Sequence, residues 1–373
     1  MRPRIAGNPK ITVFLGILAC AAMLTGCAAE APRSPGATSS SRAVDTKSPE
    51  PRRIAAELAA PWSMVFAENT LIVSERDSGR IVEIDSAGTA RQIIRLDDVV
   101  HGGEGGLLGL AFQQPYLFAY STAEDGNRIQ RFELSGDSGA LALSHPRTIL
   151  SELPSAGIHN GGRLAIGPDS MLYATVGDAG NESSAQDLES LGGKILRLTI
   201  QGEVPGDNPF PGSPVFSFGH RNPQGIAWAP DGTMYASEFG QNRWDELNII
   251  EPGANYGWPA HEGIAEDPEY RDPIQQWSTQ SASPSGITIY DGVLYIANLR
   301  GERLRTVELS TPHDSTEFLV GDHGRLRDVK VSETGELWVL TNNTDGRGTP
   351  QEGDDRILGI SPETLIDRTA TRR

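Results

Sequence analysis

"GRLAIGPDSMLYATV", Gly162–Val176, decides the fold. Leu164 and Ile166 alternate with their neighbours, Pro168 and Asp169 make a turn, and Leu172, Tyr173 and Val176 resume a strand, so the stretch reads as a β-hairpin. The same grammar returns five more times. It recurs as "WSMVFAENTLIVSE" from Trp62, "LLGLAFQQPYLFAYS" from Leu107, "QGIAWAPDGTMYASE" from Gln224, "SGITIYDGVLYIAN" from Ser285 and "RDVKVSETGELWVLT" from Arg327. Each copy has a later apolar strand: "RIVEI", "RIQRF", "KILRL", "DELNII", "RLRTVEL" and "RILGI". The second-strand anchors Leu71, Leu117, Leu172, Met234, Leu294 and Leu337 stand 46, 55, 62, 60 and 43 residues apart. A period of roughly 40–60 residues with about four strands per unit marks a β-propeller. One such unit cannot bury both of its faces, whereas six in a ring can. No long helix is signalled, and the βαβ alternation of an α/β fold is absent. The expected fold is all-β, a six-bladed propeller of four-stranded antiparallel blades.

Two residues bracket the hairpin without serving it. His159 precedes its first strand and Asp178 follows its second. A hairpin brings those ends together, so the two side chains come within reach of each other. Corresponding positions in other blades are also polar: Glu104 in "HGGEGG", Arg221, Asn222 and Gln224 in "GHRNPQG", Arg300 after blade five, and Arg325 and Arg327 in "GRLRD". In a closed ring these positions face one channel mouth. Four arginines gathered there in an acidic protein point to a bound anion, because the guanidinium fork pairs with carboxylates. The turn at Gly240 and Gln241 offers main-chain carbonyls to a hard cation such as Ca²⁺. "NYGWP", Asn255–Pro259, reads by itself as a packed corner.

The chain opens on an address. Arg2, Arg4 and Lys10 form a basic n-region, and Ile11–Leu24 is an apolar run too short to span a bilayer. "LTGC", Leu24–Cys27, resembles the lipobox of bacterial lipoproteins, which implies cleavage before Cys27 and a lipid on its thiol. The expected organisation is a signal peptide over residues 1–26, a lipidated cysteine and flexible tether over 27–53, and the propeller over 54–373. The tether assignment rests on the Pro, Ser and Ala content of "AAEAPRSPGATSSSRAVDTKSPEPRR". With Cys20 removed and Cys27 lipidated, the mature domain needs no disulfide. Loss of Arg2, Arg4 and Lys10 takes the net charge from −17 to −20, which makes nucleic acid a poor partner. The protein is expected outside the cytoplasm, anchored to the cell membrane, as a monomer or homodimer.

The ordered set "GEGGLLGLAF", "HNGGRLAIGPD…LYATVGDAG", "AQDLESLGGKILRL", "GDNPF", "GHRNPQGIAW", "DELNIIEPGANYGWP", "SPSGITIYDG" and "GDDRILGI" spans Gly103–Ile360. It resembles the soluble quinoprotein glucose/sorbosone dehydrogenase family, in particular the bacterial aldose sugar dehydrogenases. The resemblance implies a propeller that binds pyrroloquinoline quinone (PQQ) and Ca²⁺ and oxidises aldoses at C1 to the lactone, passing electrons to an acceptor that the sequence does not identify. By the same resemblance His159 is the base that takes the anomeric hydroxyl proton as hydride leaves for the quinone, and Asp178 orients it. Arg221 sits beside the quinone oxygen; Glu104, Asn222, Gln224, Arg300, Arg325 and Arg327 contact the cofactor; and the Gly240 and Gln241 carbonyls ligate Ca²⁺. Four positions depart from the glucose dehydrogenases, among them Gln241, which stands where a proline is common and still offers its backbone carbonyl. Glu104 stands for a glutamine, Arg300 for a lysine, and Phe239 for a polar residue near the substrate, which leaves sugar preference open. "EDPEYRDPIQQW", Glu266–Trp277, is a candidate for shaping the sugar entrance. The rival readings are a Ca²⁺-dependent propeller lactonase, which needs carboxylates around its metal, and a non-catalytic envelope-binding propeller.

Overall fold

A lone four-stranded sheet with two apolar faces is unstable in water, and this chain covers those faces by stacking sheet against sheet around a ring. The computed structural model describes residues 50–365 together with the backbone of Ser41–Ala43. Six sheets follow one another in chain order, each an antiparallel meander. Blade 3 illustrates the pattern: Leu164–Ile166 pairs with Leu172–Val176, which pairs with Lys194–Leu198, and Val215–Phe218 closes the outer edge. The first strand of each blade touches the first strand of the next, including Leu326–Val331 of blade 6 against Pro61–Ala67 of blade 1, so the ring is closed.

The hydrophobic core is divided among the blade interfaces. Six clusters form among the described residues, and each spans at least two adjacent blades. Phe118 of blade 2 packs in one cluster with Leu164 and Leu172 of blade 3, and Met64 of blade 1 shares another with Leu340 of blade 6. Middle strands therefore bury both faces, as Thr70–Glu75 and Leu172–Val176 do along their whole length.

The expected four strands per blade hold, but blade 6 takes its fourth from the opposite end of the chain. Arg52–Ala55 lies antiparallel to Ile357–Ile360, with Arg52 opposite Gly359. This strand begins inside the stretch read as tether, so the propeller starts at Arg52 and not at residue 54. Ser41–Ala43, also in that stretch, pairs in parallel with Ser315–Glu317 on the outer edge of blade 5. Both pairings are long-range, and the short segments carry no periodicity to announce them. Closing the last blade with the first strand leaves no open edge in that blade's core. Cys27 and the rest of the signal region lie outside the described residues.

A buried ion pair plugs the channel. Arg163 of blade 3 places Nη1 3.0 Å from Oδ2 of Asp328 in blade 6, and both side chains are buried. Asp328 also accepts from the Met64 N–H, while Arg163 Nε donates to the Gln224 carbonyl. Four blades are thereby tied together below the mouth where the first strands begin.

Candidate active site

His159 and Asp178 meet as the hairpin argument requires. His159 Nδ1 lies 2.7 Å from Asp178 Oδ1. The approach depends on local backbone. His159 adopts a left-handed conformation (φ 54°), and its carbonyl accepts from the Ala179 N–H. Gly177 passes so close that a Cβ there would collide with the His159 carbonyl, which explains the glycine in "VGDAG". Asp178 is fully buried, yet three donors surround it: the His159 ring, the Gly180 N–H and, at 2.9 Å, Trp258 Nε1. Burial alone would raise its pKa, but the bonds from His159, Gly180 and Trp258 outweigh that and hold the carboxyl below its usual range.

Trp258 is therefore part of the site, and the reading of "NYGWP" as a mere corner is corrected. Its ring also lies under the Arg221 guanidinium, 5.3 Å from centroid to Cζ. The Trp258–Asp178 contact joins residues 80 positions apart, which no local pattern exposes. Trp258→Phe keeps the ring but removes one donor to Asp178. It should lower kcat by about tenfold to a hundredfold, the range of one lost hydrogen bond to a charged group, with the melting temperature as control.

Arg221 is fixed from two sides. Glu238 accepts from the Arg221 and Asn222 N–H groups with one oxygen and bonds His220 Nδ1 at 2.8 Å with the other. The guanidinium donates to the Gly240 carbonyl at 2.5 Å. Burial draws Arg221 below the usual guanidinium range in spite of Asp178, Glu238 and Glu262 nearby. The loop that presents Gly240 and Gln241 has its own clamp. Glu262 Oε1 accepts from the N–H groups of Gln241, Asn242, Arg243 and Trp244 at 2.6–3.2 Å. A Cβ at Gly240 would strike the Trp244 carbonyl, so the turn requires glycine. The Gly240 carbonyl thus already attracts one cation, Arg221, and Gln241 is exposed beside it.

Beside this pair is a narrow cleft with only about 10 Å³ of free space, whose wall includes Glu104, Gln224, Phe239 and Arg327, as expected, together with Trp62, Arg76 and Arg347. Arg327 is buried and makes no ion pair among the described residues; it donates to the side chains of Asn342, Gln224 and Ser285. Desolvation without a directly bonded carboxylate depresses its pKa. Arg325 was expected to grip an anion beside it, but instead it reaches back to Asp345 Oδ2 at 3.2 Å. Arg300 is exposed and joins no hydrogen bond or ion pair with the others. Asn222 is buried, holding the Gly161 N–H with Oδ1. The Pro- and acid-rich stretch Glu266–Trp277 is in part strand, since Gln275–Ser278 forms the outer edge of blade 4, and Arg271 pairs with Glu251 at the far end of the third strand.

Among the described residues, buried donors left without partners at this mouth include Arg221 Nε, Asn222 Nδ2 and Arg325 Nε. A ligand rich in carboxylate and carbonyl oxygens matches that set.

Fold and site together define a propeller with a carboxylate-oriented histidine next to a guanidinium-lined cleft. Residues 58–350 match the family described as glucose/sorbosone dehydrogenase, and the chain belongs to that family. Its structure resembles the PQQ-bound form of aldose sugar dehydrogenase from Streptomyces coelicolor, with a TM-score of 0.80 and 45% identity over 83% of this chain and 96% of that one. In sequence it is 29% identical to aldose sugar dehydrogenase YliI of Escherichia coli, over 82% of this chain and 91% of that protein. It is 32% identical to quinoprotein glucose dehydrogenase B of Acinetobacter calcoaceticus over 58% of this chain, and spans 54% of that relative's length.

Proposed function

We propose that this protein is a PQQ- and calcium-dependent dehydrogenase that oxidises aldoses at C1 to the lactone. The observation that carries the reading is the His159–Asp178–Trp258 chain set beside a guanidinium-lined cleft. Ionised Asp178 accepts the Nδ1 proton of His159 and leaves Nε2 with its lone pair as the basic atom. That atom takes the proton of the sugar's anomeric hydroxyl, and Asp178 then offsets the charge of the imidazolium. PQQ supplies a two-electron acceptor when bound, and Ca²⁺ a Lewis acid. Arg327, Asn222 and Gln224 would hold the cofactor's oxygens, and the Gly240 and Gln241 carbonyls would hold the metal. Arg221, which bonds the Gly240 carbonyl, would supply positive charge to stabilise negative charge developing on a cofactor oxygen. A lipid on Cys27 would anchor the enzyme at the outer face of a membrane.

Reconstitution tests this reading. Protein freed of cofactor by chelation should oxidise aldoses only when PQQ and Ca²⁺ are both restored, and the PQQ absorption should bleach on adding sugar. Activity that survives chelation would remove the metal. Lactone hydrolysis without PQQ would replace the dehydrogenase by a hydrolase.

A further inference from the structure

The cleft wall carries three guanidinia, Arg76, Arg327 and Arg347, and a single carboxylate, Glu104. An acid in a site for a polyanion repels its ligand unless something neutralises it. Here both oxygens of Glu104 are engaged. Oε2 accepts from the His159 N–H at 2.8 Å, and Oε1 accepts from Arg347 Nη1 at 3.1 Å. Arg347 comes from the loop between the second and third strands of blade 6, and Glu104 from the approach to blade 2, 243 residues away. The Arg347 backbone is held by Asp345, while its side chain is 43% exposed. Its Nε and Nη2 make no hydrogen bond among the described residues, so one guanidinium touches Glu104 and still has two donor groups to offer.

We propose that Arg347 is a direct grip for a carboxylate of the bound cofactor, with Nη1 keeping Glu104 neutralised. The proposal rests on the PQQ reading above. It gives Glu104 a physical place in an anion site: the carboxylate orders the backbone of the base, and Arg347 cancels its charge.

The test is a titration of cofactor-free protein with PQQ in the presence of Ca²⁺, followed by quenching of tryptophan emission, since Trp62 lines the cleft. Arg347→Ala should weaken binding by about tenfold or more, the effect of one charged hydrogen bond, and Arg347→Lys should recover part of it. The decisive comparison uses Glu104→Gln as background. A direct grip predicts that Arg347→Ala still weakens binding about tenfold there. If Arg347 only neutralises Glu104, its removal will leave the Kd of the Glu104→Gln protein unchanged, and that result overturns the proposal. A wild-type protein that shows no quenching at any PQQ concentration would overturn the functional reading itself, and this proposal with it. The exposed position of Arg347 predicts an unchanged melting temperature for its variants.

Discussion

His159→Gln should lose roughly 10²–10⁴ in kcat, the range for removal of a general base, while PQQ binds with nearly unchanged affinity. The two effects separate because the groups come from different parts of the mouth. His159 makes its side-chain bond to Asp178, which answers to Trp258 and Gly180. The cleft donors belong to Arg76, Arg327 and Arg347, on the other side of Glu104. Glutamine keeps a polar side chain near Asp178 but has no nitrogen lone pair to take a proton. Stopped-flow reduction of the protein by aldose reads the chemical step, and fluorescence titration reads the cofactor. A variant that oxidises sugar at the wild-type rate would mean that another group is the base.

Arg327→Met should have the opposite profile. PQQ affinity should fall by about a hundredfold or more, as when one member of a buried charge pair is removed, yet the cofactor-free protein should keep or gain thermal stability. Arg327 is buried among Asn342, Gln224 and Ser285, with no carboxylate bonded to it. In the free protein its desolvation is offset only in part, by hydrogen bonds to neutral side chains and by the charge of Asp345, and an arriving anion offsets it further. Methionine fills a similar volume without the charge. Calorimetry of the cofactor-free variant and a PQQ titration give the two halves of the result. An unchanged Kd would move anion recognition entirely to Arg76 and Arg347. A large drop in melting temperature would show that Arg327 supports the fold.

The divergent fates of the expected arginines follow from the same physics. Arg325 and Arg327 lie two residues apart on blade 6, Arg325 just before the first strand and Arg327 within it, where the register is interrupted between Leu326 and Asp328. The buried carboxylate of Asp345 engages Nη2 of Arg325 but does not bond Arg327, which lines the cleft. Spacing identified the pair, but the partner that tells its members apart sits 20 residues away on another loop.

By itself the sequence determined the number of blades, because strand alternation and turn residues are local and repeat six times. It also determined the meeting of His159 and Asp178, because both stand at the ends of one hairpin and lie only 19 residues apart. The glycines at Gly177 and Gly240 were visible, though their reason was not: the collisions they avoid are with the backbone of His159 and Trp244. Tertiary structure alone decided the rest. Trp258 reaches Asp178, Arg347 reaches Glu104, Arg163 reaches Asp328 and Arg52 zips to Gly359 only because the ring closes. Each contact joins segments 80 or more residues apart, so its partners carry no shared periodicity, and their charge or size is compatible with an ordinary surface position until the fold brings them together.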